Sequence, residues 1–126
     1  MKRIYFSAAF LAITIIGALF QAWYIGSKAD KFTEQIEQID EYMLQDDFEN
    51  AVKLSKKTEA EWYKAARNID IFLIHDYVDS ISTDMSHLCA CIENGNPQMY
   101  FYESAGIKKE LTSLKESELP YFENLI

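Results

Sequence analysis

The chain has 126 residues, 49% of them hydrophobic and 14% aromatic, with 20 Asp and Glu against 12 Lys and Arg and a formal net charge of −8. That length supports one small core beside any anchor, and the acidic balance argues against nucleic acid, whose binding depends on neutralising phosphates with Lys and Arg. With 2 Cys and 2 His in the whole chain, neither a disulfide framework nor a four-ligand structural zinc site is expected.

The first element is an uncharged run from Ile4 to Ser27, directly after Lys2-Arg3. As a helix it reaches roughly 36 Å, enough to cross a hydrocarbon layer of about 30 Å with some tilt. Its strongly polar members are Ser7, Thr14, Gln21 and Ser27, and a helix can return Ser or Thr hydroxyls to its own carbonyls. Tyr5-Phe6 and Trp23-Tyr24 stand near its ends, where amphipathic rings favour the headgroup zone. The run predicts an N-terminal transmembrane anchor over residues 1–27, followed by an acidic domain over 28–126. A cleaved secretory signal ending at Ser27-Lys28-Ala29 is the competing reading, but such signals have apolar regions of about 7–15 residues. Lys2 and Arg3 favour a cytoplasmic N-terminus. From Lys28 onward the net charge is about −10, which an anionic cytoplasmic leaflet would repel, so the domain is expected outside the cytoplasm.

Four amphipathic helices follow from periodicity. Phe32, Ile36, Ile39 and Met43 form the first stripe, with no strong break separating it from the anchor. A turn at Gln45-Asp46-Asp47 is expected, with Asp46 and Glu49 as a capping-box pair. The second helix carries Phe48, Val52, Ser55, Trp62, Ala66 and Ile69, interrupted by Glu59. The third has Ile71, Ile74, Val78, Ile81, Met85, Leu88 and Ile92, stepping by three and four. Asn94-Gly95 reads as its C-terminal cap, and Asn96-Pro97 as an N-cap followed by Pro at the first helical position. The fourth shows Tyr100, Ser104, Ile107, Leu111 and Leu114, widened by Phe101 and Ala105. A short helical tail from Leu119 to Ile126, with Pro120 in its first turn, ends the chain. The fold class is therefore all-α: a transmembrane helix, then an antiparallel four-helix bundle made of two hairpins. The stretch Tyr42 to Trp62 resembles a single tetratricopeptide-type hairpin, but such arrays need about three repeats.

Asp84, His87 and Cys91 share one face of the third helix, and each residue type can bind a transition metal. Asp84-Met85-Ser86-His87 is only half of a di-iron bundle pattern, so no metal and no cofactor are expected. His75, beside Asp76 and Asp79, reads as a boundary histidine. Asp40, Glu41, Asp46, Asp47 and Glu49 lack the spacing and turn Gly of a calcium loop and read as a solvated, capped turn. Cys89 and Cys91, two apart on a helix, point too far from one another for a disulfide. No Gly-rich phosphate loop and no hydrolase or zinc-protease motif is present, so an enzyme is not expected. Trp62, Tyr100 and Tyr102 are candidate contact residues, because aromatics are enriched at interface hot spots. Ala18, Ala22 and Gly26, spaced by four, would admit another membrane helix.

Met1-Lys2-Arg3 before the anchor, Trp62, the stretch His75-Asp76-Tyr77-Val78-Asp79-Ser80-Ile81 and the segment Leu114-Lys115-Glu116-Ser117-Glu118 give the chain its likeness to a family. It resembles small single-span proteins of endospore-forming Firmicutes catalogued as domain of unknown function 4363. The resemblance implies a bacterial membrane-attached accessory protein, working with a multi-span membrane partner of the kind catalogued as domain of unknown function 421, and hands over no catalytic residues. The expected function is that of a non-enzymatic interaction protein of the cell membrane. The alternative is an extracytoplasmic ligand- or metal-binding sensor domain acting through a partner.

Overall fold

The computed structural model of the protein describes residues 1–70 and 75–125, without the side chains of Asp70, His75 and residues 117–125. Four helices are present: α1 (Lys2–Leu44), α2 (Phe48–Asp70), α3 (His75–Glu93) and α4 (Pro97–Leu125). Each packs on its sequence neighbours, and α4 closes back on α1. The result is a closed up-down-up-down bundle rather than an open stack of hairpins.

The apolar N-terminal run and the first bundle helix are one unbroken helix of 43 residues, about 64 Å long. Its two halves differ. An 18-residue apolar window near the N-terminus has no buried residue, whereas Ile25, Ala29, Phe32, Ile36, Ile39 and Met43 are buried at alternating steps of four and three. Burial thus begins at Ile25, inside the uncharged run, and Tyr24 packs against the same core. Asn68 Nδ2 donates to the Tyr24 hydroxyl at 3.4 Å, which ties this level of α1 to the end of α2.

The two turns are built alike. After α1, Asp46 takes φ 57°, Asp46 N–H donates to the Met43 carbonyl and Asp47 N–H to the Tyr42 carbonyl. After α3, Gly95 takes φ 66°, with the same pair of bonds from Gly95 to Ile92 and from Asn96 to Cys91. Each is a Schellman closure, and the residue that completes it caps the next helix. Asn96 Oδ1 accepts from Met99 N–H, as its place before Pro97 predicts. At the first turn the cap is Asp47, whose carboxylate accepts from Asn50 N–H and Nδ2. The expected Asp46–Glu49 pair is therefore displaced by one residue, because Asp46 is consumed by the left-handed closure of α1.

The stripes of α1, α3 and α4 pack as their periodicity predicts over the described residues; Ile71 and Ile74 lie outside them. In α2 the inward positions are Ala51, Ser55, Thr58, Trp62, Ala65, Ala66 and Ile69, while Phe48 is 42% exposed and Val52 half-buried. Small residues at 51, 55 and 58 leave room for the bulky stripes opposite. On α4, Phe101 is half-buried and Ala105 is exposed. The C-terminal segment is helical as expected and continuous with α4 through Pro120, where the missing N–H costs one backbone bond.

Candidate functional site

Two polar clusters flank α4. On the side facing α1, the Asp40 carboxylate accepts from Tyr100 Oη and Ser104 Oγ, both at 2.6 Å, and from Lys108 Nζ at 2.7 Å. Tyr100, Ser104 and Lys108 are spaced by four, so one face of α4 presents three donors to one acid. Burial, reinforced by the Asp40 carboxylate, pushes the Tyr100 phenol far up from its ordinary value and keeps it neutral. The cluster fixes the register of α1 against α4.

The side facing α3 is different. The ligating atoms of Asp84, His87 and Glu103 all lie within 4.8 Å of one another. Asp84 and Glu103 are half-buried and His87 is exposed. Glu110, two turns beyond Glu103, lies beside Asp84 and Ser80, and its Oε2 is buried with no hydrogen-bond partner. Burial, then the hydrogen bond and charge of Asp84 with the charge of Glu103, push the Glu110 carboxyl up to about 7. Among the described residues no Lys or Arg makes an ion pair with any of these acids.

Cys91 is outside this cluster. It packs against the core, and burial raises its thiol, as it does that of Cys89; both are free. Glu103 takes the place expected for Cys91. Reasoning along one helix could not find it, but His87 and Glu103 stand equally far on either side of Gly95. An antiparallel hairpin turning there brings them level. The side chain of His75 lies outside the described residues.

The contact candidates separate sharply. Trp62 and Tyr100 have no exposure and are not surface residues. Trp62 stacks edge-on against Phe32, with ring centres 5.2 Å apart, and its Nε1 donates to Ser82 Oγ at 2.8 Å. Both large rings bury their area because each polar atom finds a partner inside. Tyr102 is 75% exposed and lies with Gln98 and Met99 around a shallow depression. Of the small-residue stripe, Ala18, Ala22 and Gly26 are all half-exposed, and at Gly26 the Lys115 side chain lies alongside. A β-carbon there would meet Lys115 Cγ at 3.8 Å, and the Lys115 ammonium reaches Asp30 at 3.0 Å. Gly26 therefore lies at the edge of the α1–α4 contact.

No curated protein and no solved structure matches the chain. A family model described as domain of unknown function (DUF4363) matches residues 19–125, from within the apolar run almost to the C-terminus. With well over half of its length matched, the chain belongs to the DUF4363 family.

Proposed function

We propose that this is a single-pass cell-membrane protein with a cytoplasmic N-terminus, whose extracytoplasmic bundle acts by contact, without catalysis, on a membrane or envelope partner. The observation that carries this reading is α1 itself, which passes without a break from an apolar stretch with no buried residue into the bundle core. Such a helix fixes the bundle rigidly at the membrane surface. Retention of the anchor is supported by Tyr24, Ile25 and Ala29, since cleavage after Ala29 would remove all three from the packed domain. Tyr102 and Met99, both exposed, are the aromatic and flexible apolar residues available for contact. The partner proposed is the one the sequence resemblance implies, a multi-span protein of the domain of unknown function 421 kind.

Crosslinking of the full-length protein in its native membrane, followed by identification of what is captured, tests this reading. The expected result is one discrete multi-span partner, lost on Tyr102→Ala with the helical spectrum unchanged. Capture of no discrete partner overturns it. Protease added to intact protoplasts should digest the bundle, and protection would reverse the orientation. A mature N-terminus at Asp30 would identify the run as a cleaved signal.

A further inference from the structure

The geometry points to a binding site for a first-row divalent cation on the α3–α4 seam, with Asp84, His87 and Glu103 as its ligands. Asp84 and His87 are three residues apart, one turn of α3, and Glu103 comes across from α4. Two carboxylates and one imidazole form a mixed oxygen and nitrogen set, which suits Zn²⁺, Mn²⁺, Fe²⁺ or Co²⁺ better than the all-oxygen shell of Ca²⁺. Around a four-coordinate metal with bonds of about 2.1 Å, ligand atoms stand about 3.4 Å apart. The observed spacing, within 4.8 Å, exceeds this by little more than about 1 Å, which a modest side-chain rotation would close. His87 is exposed and Glu103 is long, so both can make that movement.

A separate observation supports a cation rather than a merely solvated acidic face. Glu110 Oε2, on the same seam, is buried without a hydrogen-bond partner, and among the described residues no Lys or Arg forms an ion pair with Asp84, Glu103 or Glu110. Folded chains seldom leave a buried acceptor open. A cation held by Asp84 would offset the charge that these acids share. The neighbouring seam on α1 solves the same problem with Lys108; here no ammonium pairs with the acids among the described residues. Three protein ligands would leave positions open to water or to a further ligand, as in sites that do more than hold a fold together.

Titration of Co²⁺ into the full-length chain in detergent, without a polyhistidine tag, tests the site by its visible absorption. The expected result is saturation at one equivalent, displacement by Zn²⁺, and no thiolate charge-transfer band. His87→Ala and Glu103→Gln should each weaken binding at least about tenfold, while Cys91→Ser leaves it unchanged. Circular dichroism verifies each fold, and His87→Ala, at an exposed position, carries the test if Glu103→Gln does not fold. Absence of saturable absorption overturns the assignment. So does binding that survives His87→Ala, or binding that depends on Cys91.

Discussion

The two seams of α4 hold carboxylates in opposite circumstances. Toward α1, one acid meets two hydroxyls and an ammonium, and every donor comes from a single face of one helix. Toward α3, three acids and an imidazole gather with no Lys or Arg ion pair among the described residues. The first arrangement closes its charge balance within the chain, which is what a structural cluster requires. The second leaves it open to solvent, protons or a cation. The difference separates a group of polar residues that holds helices in register from one available for chemistry.

The largest effect expected is at the closed seam. Asp40→Ala leaves Tyr100, Ser104 and Lys108 without their common acceptor, and hydrogen bonds to a charged group contribute about 1.5–3 kcal/mol each. The loss should reach about 3 kcal/mol by chemical denaturation, because Tyr100 is wholly buried. Asp40→Asn should cost less, since an amide oxygen still accepts from the hydroxyls and the Lys108 side chain is 34% exposed and partly screened. Near-neutral behaviour of Asp40→Ala would break the comparison, because the closed seam would then hold nothing together.

At the open seam the signature is pH. The Glu110 carboxyl stands at about 7 in the folded chain, against an ordinary value of 4.5. Between those values the folded state holds a proton that the unfolded chain has released, so folding is disfavoured as pH rises. The contribution is intact below 4.5 and is lost as pH passes through 7. Glu110→Gln should remove this loss. With a chelator present, its melting temperature should fall less than that of the unaltered chain between pH 5 and pH 8, and at pH 8 it should be the more stable of the two. Equal pH slopes would show that the acids on this seam are adequately solvated.

The closed seam was only half legible in the sequence. Tyr100 and Ser104 both lie on the α4 stripe, yet Tyr100 reads also as a contact residue because its acceptor, Asp40, is sixty positions away. Trp62 misleads in the same way, with its partner Ser82 on another helix. The open seam showed Asp84 and His87 through helical spacing, while Glu103 becomes visible only when the hairpin is folded about Gly95. The α2 face is only partly legible for a different reason. Ser55, Trp62, Ala66 and Ile69 are inward as their spacing predicts, but the inward Ala51 and Thr58 are small or polar, so a search for large apolar side chains selects Phe48 and Val52 on a neighbouring face. Large residues on α1, α3 and α4 gave the stripes directly, because there size and burial coincide.

The smallest effects belong to two glycines on the α3–α4 hairpin, and they should differ in sign. Gly106 lies one turn from both Glu103 and Glu110 in the middle of α4, and a β-carbon there would meet no atom within 4 Å. A helix-interior Gly is less favourable than Ala by roughly 0.5–1 kcal/mol, so Gly106→Ala should stabilise the chain by about that amount. Gly95 also has open space around it, but its φ of 66° is one that side chains rarely adopt, so Gly95→Ala should destabilise by about 1 kcal/mol. Thermal denaturation of both variants, side by side, checks the pair. A stabilised Gly106→Ala that also keeps the pH slope of the unaltered chain would place the weakness of the open seam in its charges rather than in its backbone. A destabilised Gly106→Ala would mean that the seam closes more tightly than its open space implies, and the contrast with the α1 side would then be one of charge alone.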